Sequence, residues 1–150
     1  MSPPDSPVIL HTVAAVIVNG VGEVLLVRKR GSAIFIQPGG KKEPGEVPLQ
    51  TLARELREEL GVEPDPASVR RLGRFQAPAV NEPGCLVRAD AYCCRVIGEP
   101  LAQAEIAELR WLRMDGELDV TVAPLSRLHI LPAFAALNCD EPPDGVRPLA

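Results

Sequence analysis

Glu55, Glu58 and Glu59 are spaced i, i+3 and i+4, which on an α-helix gathers three carboxylates on one face. On a helical wheel with Glu55 at zero they fall within an arc of about 100°. Leu49, Leu52, Ala53, Leu56 and Leu60 fill a separate arc, and Gln50, Arg54 and Arg57 take the remaining side. The helix thus carries an apolar, a basic and a carboxylate face. Exposed carboxylates so placed repel by roughly a few tenths of a kcal/mol per pair. One reading of them is a solvated acidic face. The other is a site for a hard divalent cation held by oxygen, Mg²⁺ or Mn²⁺ rather than zinc, since no His or Cys lies near.

The residues ahead of the helix favour the second reading. Pro38-Gly39-Gly40 ends a short strand, and glycine lets backbone carbonyls approach a site closely. A loop from Lys41 to Glu46 then leads into the helix, and Glu46 and Arg54 carry opposite charges that can lock the one onto the other. Acids outside this segment are Glu105 and Glu108, just before Trp111. Arg28, Lys29 and Arg30 end a strand and are candidates to meet phosphates. Phe35 either lines a ligand pocket or is core, Arg88 and Asp90 on the mixed face of their strand are candidates to contact a ligand, and Asn81 and Glu82 sit in a Pro/Gly-rich loop that could act as a lid.

The elements that must position these groups follow from pattern. Pro48–Leu60 is the clearest helix, with proline in its first turn and Gly61 where the chain leaves it. Residues 12–18 form a nearly continuous apolar run, as in a strand buried on both faces. Asn19-Gly20 signals a hairpin back into a strand at 24–28. Further strands are expected at 34–37, 70–77, 86–97 and 109–112, with turn residues at 81–84. A helix is expected at 125–137, kinked or shortened by Pro132. Strands mixed with two helices indicate an α+β, or mixed α/β, fold.

The 150 residues read as one domain, 1–150, with loose tails at about 1–7 and 140–150. Twenty acids against sixteen Lys and Arg give a net charge of −4, which argues against a polymeric nucleic-acid or membrane-surface binder. Aromatics are only 3%, few for gripping bases by stacking. Cys85, Cys93, Cys94 and Cys139 make no CxxC pair, and adjacent Cys93 and Cys94 point to opposite faces of a strand. With no signal peptide and no stretch of about 20 apolar residues, a reducing cytoplasm is the expected location.

Gly40, Glu46, Arg54, Glu55, Leu56, Glu58, Glu59, Gly61 and Val62 match every fixed position of one signature: Gly, five residues, Glu, seven residues, Arg-Glu, an aliphatic, one residue, Glu-Glu, one residue, Gly and an aliphatic. With this segment the chain resembles the Nudix hydrolases, MutT-like members in particular. The 23-residue box at 40–62 is the specific part.

The resemblance implies an α/β/α sandwich with a central mixed β-sheet, and a metal-dependent pyrophosphohydrolase cleaving a nucleoside diphosphate linked to another moiety. It implies that Glu55, Glu58 and Glu59 bind Mg²⁺ or Mn²⁺, joined by the Gly39 carbonyl and by Glu105. Gly40, Glu46 and Arg54 would give structural support, and Arg28, Arg30, Phe35 and Arg88 would contact substrate. The general base is Glu55 or an acid outside the box. A (d)NTP or modified nucleotide is the expected substrate. An ADP-ribose or nucleotide-sugar pyrophosphatase and a non-catalytic nucleotide-sensing module are the alternatives. Many relatives dimerise, so a homodimer is open.

Overall fold

The computed structural model describes residues 7–80, 82–116 and 118–139. Residues 1–6 and 140–150 of the expected tails, and Asn81 of the expected turn, lie outside them. Strand β1 (Val8–Ile17) is the centre of a four-stranded mixed sheet. It pairs antiparallel with β4 (Gly39–Lys41) and parallel with β7 (Cys85–Cys94), which in turn pairs antiparallel with β6 (Arg70–Pro78). A second sheet sets β2 (Val24–Lys29) between β3 (Phe35–Ile36) and β9 (Ile106–Leu112), all antiparallel. The short strands β5 (Glu63–Pro64) and β8 (Val96–Ile97) pair with each other.

Alternation along β1 explains its apolar run. Val13, Ala15 and Ile17 pack against Leu52, Leu56 and Leu60 of helix α1 (Pro48–Leu60). Ala14 and Val16 face the other way, against Ile130 and Phe134 of the C-terminal helical segment. Period-two geometry thus turns one strand into the middle layer of an α/β/α sandwich. Cys94 joins the α1 side and Cys93 the other, so the two thiols are separated by the sheet. Burial pushes the Cys94 thiol up to about 12. Among the described residues no helix is long and apolar enough to cross a membrane.

Three of the structure's departures from the expected elements shape the frame around the site. Asn19-Gly20 does not close a hairpin ladder: only Val18 and Val24 bridge, and β1 and β2 then diverge into different sheets. The Asn19 side chain instead accepts from the Val21 and Glu23 amides, making a wider turn with Gly22 at φ +83°. The strand expected at 86–97 breaks at Arg95, where Asp65 N–H bonds the Arg95 carbonyl and starts the small β5–β8 sheet. The helix expected at 125–137 is π-wound over Leu125–Ile130, with Leu131 N–H bonding the Ser126 carbonyl five residues back, before α2 (Leu131–Cys139) continues as an α-helix. Pro132 has no N–H to close the preceding α turn, so the expected kink takes the form of a widened turn.

Candidate active site

Helix α1 begins and ends where its sequence punctuates it. Val47 N–H donates to Gln50 Oε1 (2.9 Å), and Pro48 occupies the first turn. Gly61 leaves the helix at φ +69°, its N–H on the Arg57 carbonyl (3.1 Å). The last carbonyls are taken by a following loop, Gln103 N–H bonding Glu59 O (2.9 Å) and Leu101 N–H bonding Leu60 O (3.0 Å). This loop carries Glu105 toward the carboxylate face. Ala104 adopts φ +54°, and Arg30 ties the loop down through its N–H to Glu105 O and its guanidinium to Ala104 O (both 2.9 Å).

Arg54 organises the entry loop. Its guanidinium donates to both carboxyl oxygens of Glu46 (2.6 and 3.0 Å), to the Lys41 carbonyl (3.0 Å), to Glu55 Oε2 (3.0 Å) and to Glu58 Oε2 (3.4 Å). Glu46 also accepts from the Glu43 N–H (2.9 Å) and the Thr51 hydroxyl (2.7 Å). Arg54 above all, with the Glu43 N–H, holds the Glu46 carboxyl down at about 2.

Two glycines let β4 lie against the carboxylates. Gly39 has φ +146°, and a Cβ there would strike the Val13 carbonyl; a Cβ on Gly40 would run into the Glu55 carboxyl. In this close approach Gly39 N–H donates to Glu59 Oε1 (3.1 Å). On the wheel Glu59 is the carboxylate nearest the apolar arc, and it is 8% exposed. Burial pushes its carboxyl up to about 7, with Glu55 and Glu105 adding to the rise and the Gly39 N–H and Lys29 opposing it. Glu55 is also raised, chiefly by burial and against the pull of Arg54.

These groups open into a cavity of about 650 Å³. Glu55, Glu58, Glu59, Glu105 and Lys29 line one part of it, with Gly39 and Gly40. Val87, Ala123, Leu125 and Ile130 give it an apolar wall, and Gln37 also lines it. Glu105 is well exposed, with Lys29 Nζ 4.0 Å from its carboxyl.

The expected substrate contacts are placed differently. A register shift between Arg28 and Lys29 re-aims the strand end: Arg28 turns to Glu108 (3.1 Å) and to the Ser32 carbonyl (2.9 Å), while Lys29 enters the cavity. Arg30 lines an adjoining pocket of about 500 Å³ with Lys29, Ser32, Glu82 and Glu105. Phe35 is buried with Leu26, Leu112 and Val122 and does not line the main cavity. Arg88 donates to Gln76 Oε1 (3.0 and 2.9 Å) on the neighbouring strand, also away from the cavity. Sequence reasoning singled out neither Gln37 nor Thr51. For Gln37 the signal was a polar residue inside a short apolar strand.

The NUDIX domain model matches residues 9–132. The chain belongs to the Nudix hydrolase family. It is 31% identical to the CTP pyrophosphohydrolase of Escherichia coli (strain K12) over 137 residues, 88% of this chain and 96% of that protein. It is 35% identical to the 8-oxo-dGTP diphosphatase of Haemophilus influenzae over 74 residues, 47% of this chain and 54% of that one. The solution structure of the E. coli ORF135 protein superposes with a TM-score of 0.73 at 32% identity, covering 95% of this chain and all of that one.

Nudix hydrolases generally use divalent metals, and the site can be tested for fit. Among the described residues no three His, Cys, Asp or Glu side chains converge as a ready metal cluster. Arg54 holds Glu55 and Glu58, while Glu59 turns to the Gly39 N–H. The donor chemistry nonetheless suits a hard cation: it is all oxygen, Glu59 is a buried carboxyl with no cationic partner bonded to it, and burial raises the half-buried Glu55 despite Arg54. In this Nudix hydrolase a cation would supply what Lys29 alone does not.

A pH dependence follows from that deficit. An unfolded Glu59 ionises near 4.5, whereas the folded one keeps its proton up to about 7. Between these values the folded state binds more protons, so stability falls as pH rises, and Glu55 contributes with the same sign. Thermal melts in chelator from pH 4.5 to 8 are expected to show a declining midpoint that Mg²⁺ restores at pH 8. A midpoint rising across that window would contradict the assignment.

Proposed function

We propose that this Nudix hydrolase is a metal-dependent nucleoside triphosphate pyrophosphohydrolase, releasing a nucleoside monophosphate and pyrophosphate. The observation that carries the reading is one cavity in which carboxylates and Lys29 adjoin an apolar wall, matching a ligand with a phosphate chain and a flat base. The 31% identity to a CTP pyrophosphohydrolase along nearly the whole chain supports a triphosphate over a nucleotide sugar.

Glu59, Glu55 and Glu58, with the Gly39 carbonyl and Glu105, are the groups that would hold Mg²⁺ or Mn²⁺. When bound, such an ion shields phosphate charge and lowers the pKa of an attacking water. The chain's own residues do the rest. Lys29 Nζ faces the phosphate chain and offsets its charge. Arg54 and Glu46 fix the loop that follows β4, the strand on which Gly39 and Gly40 approach, and Gly39 N–H orients the Glu59 carboxyl. The proton acceptor for the water is Glu55, whose carboxyl burial raises above its ordinary value, or Glu105, which is exposed beside the cavity.

A hydrolysis screen with product identification tests this. (d)NTPs, 8-oxo-dGTP, ADP-ribose and nucleotide sugars are offered with Mg²⁺ or Mn²⁺. Monophosphate plus pyrophosphate from a triphosphate is expected, and Glu105→Gln is expected to slow it about tenfold. Two phosphomonoesters from a sugar nucleotide would replace the substrate class. Tight nucleotide binding without turnover would make the protein a sensor, and an unslowed Glu105→Gln would remove that residue from the site.

A further inference from the structure

We propose that the pocket around Arg30 is a second phosphate subsite, which takes the terminal phosphate of the substrate and so favours a nucleoside triphosphate over the diphosphate. The pocket measures about 500 Å³ and adjoins the main cavity, Lys29, Glu82 and Glu105 lining both. Lys29 therefore stands on the boundary between them. Burial raises the Glu55 and Glu59 carboxyls, and Lys29 opposes the rise in both, so its ammonium acts on the carboxylate face as well as in the pocket. The two spaces differ in their walls. Val87, Ala123, Leu125 and Ile130 line the main cavity alone, whereas among the described residues the pocket is lined by Lys29, Arg30, Gly31, Ser32, Glu82 and Glu105. A nucleoside thus finds its apolar surface in the main cavity. The part of a nucleotide that suits a polar pocket beyond the carboxylates is the end of its phosphate chain.

The charges leave room for an anion. Glu82 is drawn to Lys41, Nζ to Oε1 3.3 Å, and the ion pair of Lys29 with Glu105 is long, at 4.0 Å. Arg30 is exposed and has no carboxylate partner among the described residues; one nitrogen of its guanidinium donates to the Ala104 carbonyl (2.9 Å). A carbonyl is neutral, so the charge stays uncompensated, and the other N–H groups remain for the oxygens of a phosphate. Lys29 and Arg30 thus face a single unshared acid, Glu105. The turn beneath them is held in place: Ser32 N–H bonds the Lys29 carbonyl (3.1 Å), and Arg28 donates to the Ser32 carbonyl (2.9 Å). Ser32 Oγ accepts from the Ile34 N–H (3.1 Å), which leaves its own O–H to donate. Gly31, at φ +81°, has nothing within 4 Å of where a Cβ would stand, so the turn does not fill the pocket.

The subsite rests on the nucleotide reading, and the test separates the two. Binding of the α,β-methylene analogues of CTP and CDP, and of inorganic pyrophosphate, is measured by calorimetry with Mg²⁺ for wild type, Arg30→Gln and Arg30→Lys. Wild type is expected to bind the triphosphate analogue about tenfold more tightly than the diphosphate. Arg30→Gln, whose amide can still donate to the Ala104 carbonyl, is expected to lose most of that ratio by weakening the triphosphate analogue alone. Arg30→Lys, which keeps the charge, is expected to retain more of it. Equal binding of the two analogues by wild type overturns the subsite. So does a ratio unmoved in Arg30→Gln with both analogues weakened alike, which would leave Arg30 a support for the Glu105 loop. Binding of neither nucleotide, with pyrophosphate bound by wild type and weakened in Arg30→Gln, overturns the nucleotide reading and leaves the pocket a phosphate site. Binding of none of the three overturns both.

Discussion

Glu59→Gln is expected to melt higher than wild type in chelator at pH 8 and to lose about a thousandfold or more of its turnover. The gain in stability follows from where the carboxyl sits. Glu59 is 8% exposed and keeps its proton up to about 7, so at pH 8 the folded protein carries a charge that burial opposes. Moving a carboxyl from its ordinary 4.5 to about 7 costs on the order of 3 kcal/mol in the ionised state. Glutamine has the same shape and still accepts from the Gly39 N–H, which bonds Glu59 Oε1 at 3.1 Å, but it never ionises. The loss of activity has the same origin: an amide offers no negative charge to a divalent cation and takes no proton from water. The opposite signs are what make the variant informative. A structural glutamate would lose stability and activity together, whereas one kept for chemistry holds its charge at the expense of the fold. Melts in chelator, set beside turnover in Mg²⁺ with products quantified, give both numbers. Turnover within tenfold of wild type would remove Glu59 from the catalytic set.

How far the sequence could lead depended on the range of the interactions involved. Helix α1 was legible to the residue because its limits are local: Pro48 can begin a helix, and Gly61 can leave one at positive φ. The two buried faces of β1 were legible from its unbroken apolar run. The partners of β2 were not. Asn19-Gly20 is a local hairpin signal, but both edges of β2 are taken by β3 and by β9, about eighty positions away, and the Asn19 side chain shapes a wider turn instead. The same long-range pairing decided which basic residue meets the cavity. Among Arg28, Lys29 and Arg30 nothing in the sequence marks the central one; the register shift against β9 sends Arg28 to Glu108 and Lys29 inward. Arg30 is drawn to the backbone of the Glu105 loop by a strained Ala104, which composition does not reveal. In the box, spacing placed three glutamates on one face. It did not show that Glu59, the one nearest the leucines, would be buried while Glu58 stays half exposed.

Arg54→Met is expected to lower the melting temperature by about 10 °C and turnover about a hundredfold, with secondary structure retained. Arg54 does not face the apolar part of the cavity; its effect passes through the groups it holds. One guanidinium satisfies Glu46, Glu55, Glu58 and the Lys41 carbonyl at once. Without it three carboxylates lose their counter-charge, and the loop from Lys41 to Glu46, which continues from the strand bearing Gly39 and Gly40, loses its anchor on the helix. A displacement of about 1 Å in such a loop is enough for a hundredfold loss of rate. Methionine keeps much of the side-chain volume, so the deficit reports charge and hydrogen bonding rather than a cavity. The pair with Glu46 supplies the internal control. Glu46→Gln in the Arg54→Met background is expected to cost little more, because the partner is already lost, whereas in wild type it is expected to cost most of what Arg54→Met does. The pH profile gives a second check. Arg54 holds the Glu46 carboxyl at about 2 against an ordinary 4.5, so its stabilisation is present above 4.5 and vanishes as pH falls through 2. The gap in melting temperature between wild type and Arg54→Met is therefore expected to narrow over that interval. A gap that stays constant, or additive costs in the double variant, would mean that Arg54 supports the site through contacts other than Glu46.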